Sequence, residues 1–136
     1  MKDNINKTVL IIDDDEATRF LFKLAVERVG CEVFTAANGQ EGLECLTRIP
    51  KPFLILLDLM MPVMDGWRFL EEIKGRPEWR EIPVVACSAF AVQAGVIKAE
   101  EVLAKPVDLQ VLTQTVRRWR PGDSGETHGA PMTRET

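Results

Sequence analysis

The 136-residue sequence contains one histidine, three cysteines and no tyrosine, and none of its apolar runs is long. The single histidine, His128, lies in a C-terminal tail rich in Gly, Pro, Ser and Thr, which removes histidine-based catalysis from a folded core. Cys31, Cys45 and Cys87 are odd in number and lack metal-type spacing, so they read as reduced, mostly buried thiols with no chemistry of their own. A stretch such as Phe53 to Leu57 is far too short to span a bilayer, and the N-terminal MKDNINK lacks the apolar segment of a signal peptide. A cytoplasmic location without membrane insertion is expected. Positive charge is also in deficit: 17 Lys plus Arg stand against 21 Asp plus Glu, a net charge of −4. That leaves no broad basic field for anionic polymers, so no direct nucleic-acid binding is expected.

What the sequence does contain is alternation. Its length suits one domain, and its 46% hydrophobic content is that of a globular protein. Thr8 to Ile12, Glu32 to Ala36, Phe53 to Leu57 and Ile82 to Cys87 are short runs of strand length, with Val102 to Ala104 a weaker fifth. Between them lie helical stripes: Ala17, Phe20, Leu21 and Leu24, with Gly30 as a C-terminal stop; Leu43, Leu46 and Ile49; Phe69, Leu70 and Ile73; Leu109, Leu112, Val116 and Trp119. Strands that are apolar on both faces and alternate with helices predict an α/β, doubly wound fold with a parallel sheet covered on both sides. The folded domain is expected over 1–120, and the aperiodic tail 121–136 is expected to be disordered.

Such a sheet binds ligands beyond the C-terminal ends of its strands, where the strand order reverses. The first strand runs into three adjacent carboxylates, Asp13, Asp14 and Asp15, and Asp58 closes the third at the end of FLILLD. If strands one and three are neighbours, these acids converge, and they are tolerable together only if a cation neutralises them or their pKa values rise. Mg²⁺, a hard octahedral cation that keeps several waters, suits such a site. Ser88 follows the fourth strand and Lys105 the fifth. A carboxylate nucleophile, a bound Mg²⁺, a hydroxyl and an ammonium are the parts needed to receive a phosphoryl group in line and hold its oxygens. Each part alone has a plainer reading: acids at a helix N-terminus, a serine cap, a Lys-Pro turn.

Taken together and in order, IIDDDEATR, LILLDLMMPVMDGWRFL, VVACSAF and LAKP resemble the response-regulator receiver domain of two-component signalling, from about Lys7 to Trp119. The resemblance implies the strand order 2-1-3-4-5. It implies that Asp58 accepts phosphate from a histidine kinase or histidine phosphotransfer protein. Asp14, Asp58 and the backbone carbonyl of Met60 would ligate Mg²⁺, with Asp13 acting mainly through water. Ser88 would hydrogen-bond the phosphoryl oxygen, and Lys105 would pair with it ahead of a cis peptide to Pro106. Asp15, one place beyond the acidic pair, more plainly caps the first helix. With no output domain after Trp119, a stand-alone module acting on a downstream protein target is expected. The competing readings are a pseudo-receiver that keeps the fold as a protein-binding scaffold, and a Mg²⁺-dependent phosphoester hydrolase.

Two departures from the family pattern stand out. The aromatic residue usual three positions before the lysine is Val102 here, and Ser88 and Lys105 are separated by 105 − 88 = 17 positions, fewer than usual. The fourth helix, between strands four and five, is therefore expected to be short or irregular. Its face is the family's usual dimerisation and output surface, which makes a homodimer one of the implied partners. With Val102 unable to supply a ring, switching is expected around Phe90 and residues 91–96. Met60 and Phe90, two positions beyond Asp58 and Ser88, would border the path of the hydrolytic water, and their apolar side chains imply a long-lived phosphorylated state.

Overall fold

The five apolar runs pair side by side. A computed structural model describes residues 6–89 and 99–122, in which β1 (Thr8–Ile12), β2 (Glu32–Ala36), β3 (Leu54–Asp58), β4 (Val84–Ser88) and β5 (Glu101–Ala104) form one parallel sheet in the order β2-β1-β3-β4-β5. Among the described residues are four helices, α1 (Glu16–Arg28), α2 (Gly39–Leu46), α3 (Gly66–Lys74) and α4 (Leu109–Trp119). Alternate strand residues separate onto two faces, because side chains point up and down in turn along a strand. Leu10, Ile12, Ile55, Leu57, Val84 and Ala86 pack with α2 and α3, while Val9, Ile11, Leu54, Leu56, Val85 and Cys87 pack with α1 and α4. Every residue of β1, β3 and β4 is buried.

Each helix begins at a short polar residue whose side chain accepts from an otherwise unpaired first-turn amide: Asp15 from Thr18, Asn38 from Glu41, Asp65 from Arg68 and Asp108 from Gln110 and Val111. At its far end α1 stops where expected, with Gly30 at φ +93°, a conformation glycine adopts without strain. The strand boundaries shift slightly from those read in the sequence. β4 starts at Val84, not Ile82: Pro83 has no amide to donate, and Ile82 instead closes a turn on the Trp79 carbonyl with its side chain buried. Ser88 is the last residue of β4, not the one after it.

The face of α1 is a larger correction. Phe20, Leu21 and Leu24 are 59%, 49% and 44% exposed, whereas Phe22 and Val26 are buried, with Ala25 and Val29 packed beside them. Residues 22, 25, 26 and 29 form an apolar stripe with the same i, i+3, i+4, i+7 spacing, so periodicity cannot choose between the two faces. The rotation follows from the start of the helix, where Asp15 caps the first turn and Arg19 reaches back to the Asp13 carbonyl. Phe22→Ala should therefore cost about 3–5 kcal/mol in urea unfolding and Phe20→Ala less than about 1 kcal/mol. Equal costs would place the core on the wrong side of α1. Phe90, residues 91–96 and the short helix expected between strands four and five lie outside the described residues, as does the tail from 123.

Candidate functional site

The strand order reverses between β1 and β3, and the acids lie at that edge. Asp13 follows β1 directly and still donates its amide to the Ala36 carbonyl (3.1 Å). Its carboxylate is 2% exposed, with one oxygen accepting from the Asp15 amide (2.9 Å) and the other from Lys105 Nζ (2.8 Å). Asp58 ends β3 and is buried. One of its oxygens accepts from the Met60 amide (3.4 Å) and lies 3.5 Å from Lys105 Nζ. Asp14 is exposed, yet one oxygen from each of Asp13, Asp14 and Asp58 falls within 4.8 Å of the other two. Asp15 stays out of this cluster. It caps α1, and the Thr18 hydroxyl and amide hold its carboxyl below the usual range.

Two further strands complete the site. Ser88, fully buried at the end of β4, sits one position beyond Cys87, the register partner of Asp58, and its carbonyl accepts from the Lys105 amide (2.9 Å). Lys105 follows β5, and its peptide to Pro106 is cis. Two of the three acids thus share one ammonium. Burial pushes the Asp58 carboxyl up to about 6, and the Asp13 charge and a hydrogen bond with Asp14 add to the rise, opposed by Lys105 and the Met60 amide. Burial disfavours the charge on Lys105, but the hydrogen bond and charge of Asp13, with Asp58, hold its pKa above the ordinary lysine value. Cys87 is pushed up to about 12 by burial, which keeps it a thiol.

The loop after β3 forms the rim. Met64 donates to the Pro62 carbonyl (2.7 Å) across Val63, which sits at φ +69° and is 81% exposed, a tight γ-turn that strains a β-branched residue. Gly66 lets the loop lie flat, since a Cβ there would come within 2.6 Å of the Asp58 carbonyl. Met60 is half exposed on this rim. Val102 pairs with Ala86 and packs on the α2 and α3 side of the sheet.

Asp13, Asp14, Asp58, Ser88 and Lys105 are thus gathered at one edge, and Phe90 lies outside the described residues. Sequence reasoning missed Arg19, whose guanidinium donates to the Asp13 carbonyl (2.8 Å). The signal was its place one helical turn beyond the acidic triplet. It also missed the strained Val63, for which a Pro-Val-Met-Asp-Gly turn gives no specific cue.

The family model described as response regulator receiver domain matches residues 9–117. The chain belongs to the response-regulator receiver family. It is similar to the polar-differentiation response regulator DivK of Brucella anthropi, 31% identical over 118 residues covering 83% of this chain and 95% of that protein. Its fold matches the receiver domain of a signal transduction histidine kinase from Syntrophus aciditrophicus (TM-score 0.78, 27% identity, 96% of both chains). It also matches the receiver domain of a sensor histidine kinase from Pseudomonas aeruginosa PAO1 (TM-score 0.77, 24% identity, 84% of this chain and 97% of that one), whose active-site cleft coordinates a magnesium ion. The receiver is thus a module of two-component signalling, and its acidic pocket suits Mg²⁺ and aspartate phosphorylation. Among the described residues no helix is long and apolar enough to cross a membrane.

The donor set fits the ion. Three carboxylates meet, the two buried ones paired with one ammonium and Asp14 exposed to solvent, as suits an ion that keeps several of its waters. Protons and Mg²⁺ should therefore compete for Asp58. Mg²⁺ affinity is expected to be flat above pH 6 and to fall about tenfold per unit below it, measured by calorimetric titration. Without metal the sign reverses. Because the folded pKa lies above the unfolded 3.8, the proton on Asp58 stabilises the fold fully below that value, and this stabilisation is lost as pH rises through about 6. The stability difference between wild type and Asp58→Asn should show that slope.

Proposed function

We propose that the chain is a receiver that takes a phosphoryl group on Asp58 from the phosphohistidine of a histidine kinase or phosphotransfer protein, in a Mg²⁺-dependent reaction, and signals through a downstream protein target. The observation that carries it is the convergence on one buried edge of Asp58, Asp13 and Asp14 with Lys105 Nζ, 3.5 Å from Asp58 and 2.8 Å from Asp13. Asp13, Asp14, Asp58 and the Met60 backbone carbonyl would hold Mg²⁺. The ion supplies charge neutralisation for the carboxylates and the incoming phosphoryl oxygens.

An Asp58 oxygen attacks phosphorus as the bond to the histidine nitrogen breaks. That nitrogen keeps the electron pair and takes a proton from water. Lys105 moves from the carboxylates to a phosphoryl oxygen, and the Ser88 hydroxyl donates to another. The half-exposed Phe20, Leu21 and Leu24, on the helix that starts at this edge, support a protein donor over a small one. Met60 has no group to orient a hydrolytic water, which supports a long-lived phosphorylated state. We place the receiver in 1–120, with 121–136 as a tail, in the cytoplasm, and count a homodimer among its assemblies. Acetyl phosphate with Mg²⁺ should add one acid-labile phosphoryl group to the wild type and none to Asp58→Asn. An unlabelled wild type would leave a pseudo-receiver scaffold, and steady turnover of external phosphoesters would mean a hydrolase.

A further inference from the structure

Asp13 is fixed at every polar atom it has. Its amide donates to Ala36 (3.1 Å), one carboxylate oxygen accepts from Asp15 (2.9 Å) and the other from Lys105 (2.8 Å), and its carbonyl accepts from Arg19 (2.8 Å). Ala36 belongs to the sheet, Lys105 to the site and Asp15 to the cap of α1. Arg19 comes from α1. At Asp13 the chain leaves β1 and turns into α1, and among the described residues no strand amide donates to the Asp13 carbonyl. The peptide it belongs to also carries the Asp14 amide. A carbonyl held in one direction fixes ψ of Asp13 and φ of Asp14 together, and with them the course of the backbone that carries two of the three acids lying within 4.8 Å of one another. Arg19 Nη1 donates to this carbonyl, and among the described residues no carboxylate lies within 4 Å of the guanidinium, although its charge still acts on Asp15.

From this geometry we infer that Arg19 is a positioning residue of the phosphoryl-acceptor site: it clamps the Asp13–Asp14 peptide and so sets the spacing at which the two acids receive the metal. The inference rests on the Mg²⁺ and phosphoryl reading of the site. Arg19 touches neither the reacting atoms nor a carboxylate of the cluster, and it acts only through the Asp13 carbonyl.

The sign of one effect separates positioning from plain electrostatics. Removing a cation beside a cation site strengthens metal binding if charge is all that matters, whereas releasing a group that orients the ligands weakens it, by roughly tenfold or more for an outer partner. Mg²⁺ is titrated calorimetrically into wild type, Arg19→Met and Arg19→Lys, and the thermal midpoint of each is recorded without metal. Arg19→Met should bind Mg²⁺ about tenfold more weakly, and Arg19→Lys, which keeps a donor, more tightly than Arg19→Met. At saturating Mg²⁺ the labelling rate of Arg19→Met with acetyl phosphate should largely recover. If Arg19→Met does not fold, Arg19→Gln takes its place. Binding equal to or tighter than wild type, whatever the change in midpoint, overturns the positioning role and leaves the phosphoryl reading intact. A wild type that binds no Mg²⁺ overturns both.

Discussion

Asp14→Ala should bind Mg²⁺ at least about a hundredfold more weakly than the wild type, yet withstand more urea in metal-free buffer. The two effects share one cause. Carboxylate oxygens lie within 4.8 Å of one another in this cluster, and Lys105 is the ammonium paired with it. At that separation a like-charged pair costs roughly 3 kcal/mol at an effective dielectric constant near 20, and roughly 1 kcal/mol in water. Asp14 is exposed, so the lower figure applies and the gain in metal-free stability should be about 1 kcal/mol. Removing it also eases the rise of the Asp58 pKa, to which a hydrogen bond with Asp14 contributes. What stabilises the folded chain without metal is thus what removes its ability to hold metal. Calorimetric titration and urea unfolding read the two effects separately. Unchanged affinity would remove Asp14 from the ligand set, and lower stability would mean that Asp14 is paired, not repelled.

The Lys105→Met variant should move both quantities the other way. The ammonium lies 2.8 Å from Asp13 and 3.5 Å from Asp58, both buried. Methionine keeps the length of the side chain and removes the charge, leaving two acids without their cation. Loss of one partner of a buried pair leaves an uncompensated charge, and with Lys105 partly solvated the cost should be about 1–3 kcal/mol at pH 7.5 without metal. The Asp58 pKa should rise further above 6, because Lys105 is one of the two groups that lower it. On the proposed ligand set Mg²⁺ would compete with the ammonium for the same carboxylates, so the variant should bind Mg²⁺ more tightly and regain its lost stability as the ion is added. Phosphorylation should nonetheless slow at least tenfold, about 1.4 kcal/mol of barrier, since the cation proposed to pair with a phosphoryl oxygen is gone. Weaker Mg²⁺ binding would show that Lys105 holds the acids in place instead of competing for them.

The legibility of these features in the sequence followed their physical origin. Buried parallel strands announce themselves as aliphatic runs, so β1, β3 and β4 were readable to within two residues, and the caps at Asp15 and Gly30 followed from local hydrogen bonding and φ preference. Asp13, Asp14, Asp58, Ser88 and Lys105 were legible because strand ends bring them to one edge whatever the helices do. The rotation of α1 was not. Residues 17, 20, 21 and 24 and residues 22, 25, 26 and 29 make equally regular stripes, and the choice is set by contacts at the start of the helix. Arg19 was hidden for a related reason: a hydrogen bond to a main-chain carbonyl depends on where the backbone turns, not on a partner side chain that sequence spacing can reveal. Val63 at φ +69° runs against its own propensity, and only the three-dimensional closure of the loop over Asp58 explains its conformation.

The central claim is that the Asp58 carboxylate carries the phosphoryl group. After incubation with acetyl phosphate and Mg²⁺, reduction with borohydride converts an aspartyl phosphate to homoserine, and peptide mapping then locates the altered residue. Homoserine at position 58, absent when Mg²⁺ is omitted and absent from Asp58→Asn, is the predicted result. Homoserine at position 13 or 14, or none at all in a folded, Mg²⁺-saturated wild type, would contradict it.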